Sequence, residues 1–262
     1  MKSRSIIFSI AAFFMIFQTA SAQIGLFQKS YFVQGTDTLP LRILYPDGFD
    51  EAKSYPVVLL LHGMGERGND NELQLKYGAE LFSSPETRAQ YPAIVVFPQC
   101  SMQSFWPAVD FSQDYNPAKP MEYNPFGEPT LAMKLLLSYV DQLRDKKYVD
   151  QRRMYLGGIS MGGMGTFELL YRRPDVFAAA FPICGGGNPL SADAFAFKVK
   201  VWAFHGAKDD VVNPVNSIQM VDAINTISNN AKLTIYPEGG HGIWDRVFAE
   251  PDLLKWLFFM SK

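Results

Sequence analysis

The chain has 262 residues, of which 48% are apolar and 19% are charged, a composition that excludes a disordered chain with low hydrophobicity and high net charge. The length suggests one large domain or two small ones, and α/β folds often reach this size as one unit. A chain of this size can bury a sizeable core without disulfides. The 24 basic and 26 acidic residues give a formal charge of −2, which excludes an electrostatic nucleic-acid binder with a basic face.

The first predicted element is an apolar leader. A short basic start is followed by an almost entirely apolar run at residues 6–17 and by small residues at 20–22. This three-part pattern is typical of a secretory signal peptide, and the run is shorter than the roughly 20 apolar residues of a membrane-spanning helix. We predict a signal peptide at 1–22 cleaved after Ala22, a secreted or periplasmic protein, and one mature domain at 23–262. A membrane anchor is the alternative.

Eight short runs of apolar residues predict strands. Most of them lack polar alternation, which is typical of strands buried on both faces of a parallel sheet, whereas the first two indicate an antiparallel pair. The predicted strands cover residues 31–33, 41–45, 57–61, 93–97, 154–159, 178–183, 199–204 and 233–236.

Helical periodicity falls between these strands. Apolar residues at spacings of three and four, with polar residues on the opposite face, predict amphipathic helices. The predicted helices cover residues 131–143, 167–171, 218–225 and 253–258. Alternating strands and helices predict an α/β protein with a mostly parallel sheet and helices on both faces.

Residues 98–130 interrupt this alternation with a segment rich in proline and aromatic side chains. Structureless segments of this length are uncommon inside a domain and are usually functional or disordered. The aromatic content indicates a packed loop, and we predict that it covers the ligand side of the sheet. An ordered decoration remote from the chemistry is the alternative.

A Gly-x-Ser-x-Gly motif occupies residues 158–162, with Ser160 at its centre. A predicted strand runs directly into the motif and a glycine-rich helix start leaves it. In this context a tight strand-to-helix turn exposes a nucleophilic hydroxyl, and the flanking glycines leave room where a Cβ would collide. We predict Ser160 as the nucleophile. A passive serine in a packing turn is the alternative.

A serine hydroxyl needs a base, and the sequence has three histidines. In strand–turn–helix hydrolases the chain order is serine, acid, histidine, which excludes His62. His241 is the predicted base because two neighbouring acids, Asp209 and Asp210, lie between it and the serine, directly after the strand that ends at His205. Adjacent side chains diverge, so one acid faces the histidine, and the spacing does not choose between them.

The oxyanion formed in acyl transfer needs backbone donors. One is the N–H of the residue after the nucleophile, Met161. We predict the other in the glycine-rich loop at 62–68, with Met64 as the candidate. A phosphate-binding loop is the alternative for that segment, but no helix-opening Gly-Lys-Ser/Thr follows it.

Four stretches now resemble a secreted α/β-hydrolase of the esterase group labelled predicted peptidase or dienelactone-hydrolase-like, near the polyhydroxybutyrate-depolymerase and feruloyl-esterase branches. They are residues 61–68, 158–163, 204–212 and 239–241. The resemblance implies an α/β-hydrolase fold with an eight-stranded, mostly parallel sheet. Its His-Gly-x-x-Asp pattern makes Asp209 the acid, and it supports Met64 as the second oxyanion donor.

The resemblance extends to the walls of the site. Trp106, which follows the Pro-Gln-Cys of residues 98–100, and Trp244, three residues past the base, resemble positions near the family's pocket. Glu66 and Arg67 are further candidates for the substrate wall. A local ion-paired turn is the alternative for these two residues.

Cys100 and Cys184 are the two cysteines of the chain, and export would place them where thiols can pair. The family's strand order implies that their strands lie three positions apart. At about 4.8 Å per strand, this exceeds the roughly 7 Å limit between the Cα atoms of a disulfide. We therefore predict two unpaired thiols.

These residues together predict a serine hydrolase that cleaves carboxylic esters through an acyl-enzyme, with no cofactor and no metal. The expected partner is a small-molecule or polysaccharide ester, with polysaccharide-linked or small aryl esters favoured. Neither nucleic acid nor stable membrane insertion after leader cleavage is expected. The alternatives are a serine peptidase or an acyltransferase on the same three residues, and a glycan-binding module in which they are inactive.

Overall fold

The structure is a computed structural model that describes residues 24–111 and 121–262. The described residues form an eight-stranded sheet. Its strands are β1 (Gln28–Gln34), β2 (Asp37–Leu44), β3 (Tyr55–Leu61), β4 (Ile94–Pro98), β5 (Val149–Ile159), β6 (Ala179–Ile183), β7 (Lys200–Gly206) and β8 (Ala231–Tyr236). The order is β1-β2-β4-β3-β5-β6-β7-β8, with β2 antiparallel to both neighbours and the other pairs parallel. The eight predicted strands and the α/β-hydrolase fold are confirmed.

Helices connect the strands and cover the sheet. They are α1 (Ala79–Ser83), α2 (Pro85–Gln90), α3 (Leu131–Arg144), α4 (Met161–Arg172), α5 (Val215–Ile227), α6 (Trp244–Phe248) and α7 (Leu253–Phe259). The four predicted helices correspond to α3, α4, α5 and α7. The pattern does not predict α1, α2 and α6, because five or six residues are too few to establish a helical period.

The sheet separates two apolar layers, and β3 shows how the sequence builds both. Val57 and Leu59 enter the layer that contains side chains of α3, α4 and α5. Val58 and Leu60 enter the opposite layer, with side chains of α1, α6 and α7. All four residues are buried, so a continuous apolar run is what a strand between two helical layers requires.

The cysteines and the leader were further expectations from the sequence. Cys100 and Cys184 are both buried free thiols, and β3 and β5 lie between their strands, which confirms the unpaired arrangement. The part of the chain that the structure describes contains no helix with the length and apolar character needed to cross a bilayer. The predicted leader at 1–22 lies outside the described residues.

Candidate active site

Ser160 stands alone between the end of β5 and the start of α4, with φ +53° and ψ −118°. A strained backbone of this kind persists only where the surrounding structure holds it in place. A Cβ on Gly158 would lie 2.2 Å from the carbonyl oxygen of Gly162, and one on Gly162 would lie 2.1 Å from the carbonyl oxygen of Leu61. The two glycines of the motif are therefore a steric requirement of the turn.

Three side chains from separate loops meet at the carboxyl edge of the sheet. His241 lies between β8 and α6, and its Nε2 is 2.9 Å from the Oγ of Ser160. Asp209 follows β7, and its Oδ2 is 2.8 Å from the Nδ1 of His241. A carboxylate only accepts hydrogen bonds, so Nδ1 carries the ring proton and Nε2 is free to accept the serine proton.

The structure also distinguishes the two neighbouring acids. Asp209 is buried, and its Oδ1 accepts the N–H groups of Val211 and Val212 over 2.9 and 2.8 Å. Asp210 is exposed. Burial alone would raise the pKa of Asp209, but hydrogen bonds from His205, His241 and the Val212 N–H hold it well below its usual range. The carboxylate that faces His241 therefore stays ionised.

A second histidine touches the same carboxylate, and the sequence reasoning missed it. His205, the penultimate residue of β7, is fully buried, and its Nε2 lies 3.1 Å from Oδ2 of Asp209. The signal was present, because His205 precedes Asp209 by four residues within the His-Gly-x-x-Asp pattern. With Cys184, these residues place potential metal-binding atoms within 4.8 Å of one another. Hydrogen bonds already occupy both carboxylate oxygens, so the cluster fits a polar network better than a ligand set.

The two predicted oxyanion donors open onto one cavity. Met161 is the first residue of α4, where backbone N–H groups have no acceptor within the helix. Met64 is the first residue of a 3₁₀ turn, Met64–Glu66, which directly follows β3 and His62-Gly63. Both residues line the cavity that contains Ser160 and His241.

This cavity has a volume of about 410 Å³, and apolar side chains dominate its walls. Its lining comprises Gly63, Met64, Gly65, Glu66, Tyr77, Phe111, Met121, Ile159, Ser160, Met161, Met164, Val211, Val212, His241 and Trp244. Trp244 meets the His241 ring edge-on, with 4.9 Å between ring centroids. The structure thus places Glu66 and Trp244, two of the four predicted wall residues, at the cavity.

Glu66 is the one acidic side chain among the described residues of that lining. It is buried, and the ammonium group of Lys76 lies 3.9 Å from its carboxylate. Burial raises the pKa of Glu66, against the attraction of Lys76. A carboxyl group held in this way, beside an otherwise apolar wall, is suited to accept a hydrogen bond from a neutral hydroxyl group.

The other two predicted wall residues do not line the cavity. Trp106 is fully buried, and its indole N–H donates to the carbonyl oxygen of His62 over 3.2 Å, so it supports the loop from behind. Arg67 turns away, donating to the carbonyl oxygen of Met102 over 3.2 Å and lying 4.5 Å from the ring centroid of Phe105. Both predictions are corrected: the side chains position the loops around the cavity instead of contacting its contents.

The proline- and aromatic-rich segment reaches the cavity from both of its described sides. Phe111 and Met121 both belong to the lining. The N–H of Met121 donates to Oδ1 of Asn216 on α5 over 3.0 Å. The centre of the segment, residues 112–120, lies outside the described residues, so its predicted role as a cover stays a prediction.

Comparison with known proteins adds a family and relatives. A family model described as "Putative esterase" matches residues 36–240. A curated protein from Neocallimastix patriciarum, "Bifunctional acetylxylan esterase/xylanase", is 36% identical over 74 residues, which is 28% of this chain and 11% of that protein. "Probable feruloyl esterase C" from Aspergillus terreus is 25% identical over 189 residues, which is 71% of this chain and 59% of that protein.

A solved structure described as a thermostable esterase has a TM-score of 0.82 and 30% sequence identity to this chain. The alignment covers 92% of this chain and 64% of that one. The chain therefore spans less than two thirds of the length of each of these relatives. Because the family model covers most of the chain, including the positions of Ser160 and Asp209, this protein belongs to the esterase family that the model describes.

Proposed function

We propose that this chain is a serine hydrolase that cleaves carboxylic esters through an acyl-enzyme. The observation that carries the proposal is the continuous chain of hydrogen bonds, 2.9 Å from Ser160 to His241 and 2.8 Å from His241 to Asp209, at the wall of an apolar cavity. Membership of the esterase family supports the same chemistry.

The first half-reaction forms the acyl-enzyme. His241 Nε2 takes the hydroxyl proton of Ser160 as Oγ attacks the ester carbonyl, and Asp209 stabilises the resulting imidazolium. The N–H groups of Met64 and Met161 receive the oxyanion of the tetrahedral intermediate. When that intermediate collapses, the proton on His241 passes to the leaving alcohol, and the acyl group remains on Ser160.

The second half-reaction releases the acid. Water enters where the alcohol left, and His241 takes a proton from it as its oxygen attacks the acyl carbonyl. The same two N–H groups hold the second oxyanion. Collapse returns the proton to Ser160 Oγ and frees the carboxylic acid. Every proton transfer in the cycle runs through His241, so protonation of its Nε2 stops the reaction.

We propose aryl esters linked to plant polysaccharides as the substrate class. The cavity of about 410 Å³ and its apolar, thioether-rich lining suit an aromatic acyl group better than an acetyl group, which would leave most of the space unfilled. The relatives named as feruloyl and acetylxylan esterases support a xylan-linked ester. We propose that Glu66 accepts a hydrogen bond from a hydroxyl group on the aromatic ring.

The test compares esters that share one alcohol and differ only in the acyl group. We expect kcat/KM to be highest for hydroxycinnamoyl esters, lower for unsubstituted cinnamoyl esters and lowest for acetyl esters. Glu66→Gln should raise KM for the hydroxylated substrates only. Equal rates for acetyl and cinnamoyl esters would contradict the aryl assignment and leave the ester-hydrolase assignment intact.

The control for the chemistry is Ser160→Ala, which should fold with an unchanged unfolding midpoint and lose turnover by about 10⁴-fold or more. A fluorophosphonate probe should label the wild type and not this variant. If the labelled enzyme transfers its acyl group to added alcohol, the activity is acyl transfer and not hydrolysis. If it cleaves matched amides faster than esters, the activity is that of a peptidase. An unlabelled, inactive wild type would indicate a binding module.

We also propose that the protein is exported and that residues 23–262 form its mature domain. The basic start, the apolar run at 6–17 and the small residues at 20–22 support this proposal. N-terminal sequencing of the exported protein should begin at Gln23. A chain that keeps its first residues and sediments with membranes would indicate an anchor instead.

A further inference from the structure

The fully buried ring of His205 has hydrogen-bond acceptors around both of its nitrogens. Nε2 lies 2.9 Å from the carbonyl oxygen of Val212 and 3.1 Å from Oδ2 of Asp209. Neither of these oxygens can donate, so Nε2 must carry a proton. The open question is therefore the protonation of Nδ1, which lies 2.7 Å from the Oγ of Ser217 on α5.

The hydrogen bonds of the Ser217 hydroxyl group, which has a single proton, indicate whether Nδ1 of His205 is protonated. Its Oγ lies 2.9 Å from the carbonyl oxygen of Gly185, which only accepts hydrogen bonds. If the hydroxyl donates to Gly185, it must accept from Nδ1 of His205, which then also carries a proton. If it donated to Nδ1 instead, two oxygens would face each other at 2.9 Å with no proton between them. The geometry favours the doubly protonated ring.

His62 provides the contrast within the same fold. It is also buried, but its Nε2 accepts the N–H of Cys100 over 2.9 Å, and its Nδ1 lies 2.6 Å from the carbonyl oxygen of Gly63. One donor and one acceptor define an uncharged ring, and burial lowers the pKa of His62 to about 4. The acceptors around both nitrogens of His205 are therefore not a general consequence of burying a histidine in this fold.

The charged groups around His205 explain why a doubly protonated ring would be favoured there. Asp209 is an ionised carboxylate whose side chain is fully buried, which is costly without a compensating charge. The thiol of Cys184 stays uncharged, because burial and the neighbouring Asp209 raise its pKa. His241 must be uncharged at rest to accept the proton of Ser160. Among the described groups around the carboxylate, His205 is the one available cation.

We propose that His205 is a positioning residue held as an imidazolium at neutral pH, and that its charge balances Asp209 so that His241 rests in its uncharged, proton-accepting form. The inference rests on the proposed roles of Ser160, His241 and Asp209. Without the charge on His205, the full negative charge of Asp209 would act on His241 and hold a proton on it to higher pH. At an effective dielectric constant intermediate between protein and water, this change is about one pH unit.

Nitrogen-15 NMR of the histidine rings tests the protonation state without any catalytic turnover. The sequence has three histidines, and His241→Gln and His62→Gln assign the signals by their loss. We expect both nitrogens of His205 to be protonated at pH 7 and His62 to have one bare nitrogen. A bare nitrogen on His205 at pH 7 would overturn the proposal, even if every His205 variant failed to fold.

The pH dependence of kcat/KM tests the functional consequence. His205→Gln keeps a donor toward Asp209 and removes the charge, so the midpoint of the acidic limb should move up by about one pH unit. The matched control is Lys208→Gln, which removes an exposed cation one residue before Asp209 that pairs with Glu238 and is screened by solvent. This control should leave the limb in place.

An unmoved acidic limb in a folded His205→Gln protein would refute the charge-balancing role. Equal movement in Lys208→Gln would refute it as well, because the effect would then come from net charge. Failure of the proposed function has a different signature: Ser160→Ala would keep its turnover, while the NMR result for His205 would be unaffected.

Discussion

The hydrogen bonds on which the site depends converge on a single carboxylate, that of Asp209. One oxygen of Asp209 takes two backbone N–H groups and the other takes two histidine rings, so four donors meet one buried negative charge. An amide at this position would present an N–H group to at least one of these donors. The tautomer of His241 that bonds to Ser160 depends on this acceptor.

We therefore expect Asp209→Asn to lower kcat by about 10³–10⁴-fold, because the asparagine favours the wrong tautomer of His241. Asp210→Asn is the matched control, since it makes the same chemical change one residue away on an exposed side chain. The control should stay within about twofold of the wild type. Steady-state kinetics and the unfolding midpoint of each variant give the comparison, and equal losses in both would contradict the assignment.

The same residues show which features of the site could be predicted from the sequence. Ser160 follows from the Gly-x-Ser-x-Gly motif and its strand–helix context, and His241 follows from chain order and the elimination of the other histidines. Spacing alone did not separate Asp209 from Asp210, because the choice depends on the turn that aims two N–H groups at one carboxylate. The proposed state of His205 depends on Ser217, which lies 12 residues further along the chain on α5, and the sequence pattern does not show that the two side chains meet.

At the scale of elements, the turn between β5 and α4 is built on close backbone contact. A Cβ on Gly162 would clash with the carbonyl oxygen of Leu61. This oxygen belongs to the backbone of β3 and cannot move without disturbing the sheet. The first turn of α4, which begins one residue after Ser160, therefore lies against the end of β3. The strain at Ser160 is therefore maintained by two neighbouring elements.

Gly162→Ala should lower the free energy of unfolding by about 3 kcal/mol, at the upper end of overpacking effects. Gly65→Ala is the control, because a Cβ there would have no atom within 4 Å, and we expect a change below about 0.5 kcal/mol. Urea unfolding of both variants measures the difference. Near-equal stabilities would mean that the turn relaxes more easily than its contacts indicate.

Strands and long helices could be predicted because each is continuous in sequence and repeats a period. The side chains that line the cavity could not be predicted in this way, because their positions depend on the conformations of loops. Trp106 and Arg67 lie beside the site in sequence and in space, yet the hydrogen bond of Trp106 to His62 and the contacts of Arg67 with residues 102–105 draw both side chains away. Loop geometry is set by such long-range partners, which a single sequence does not reveal.

At the scale of the whole molecule, a buried uncharged histidine links stability to pH. The pKa of His62 falls from 6.5 to about 4 because of its burial, opposed by the Gly63 carbonyl. The unfolded chain therefore binds a proton in a range where the folded protein does not. This contribution to stability is complete above about pH 6.5 and is lost as the pH falls toward 4.

We expect the wild type to lose roughly 3 kcal/mol of unfolding free energy from this source between pH 7 and pH 4. His62→Gln removes the titrating group, so the difference in pH slope between the two proteins isolates it. The comparison also cancels Glu66 and Glu168, whose pKa values are raised by burial and whose effects run in the opposite direction. Parallel slopes in urea unfolding would show that His62 is not buried uncharged.

The four methionines of the cavity wall, at 64, 121, 161 and 164, have a consequence for the range of ligands that the wall can contact. Unbranched thioether chains adjust their torsions at little energetic cost, so such a wall conforms to its occupant instead of imposing one outline. For the proposed aryl-ester substrates, this adaptability predicts that one added methoxy group on the ring changes kcat/KM little.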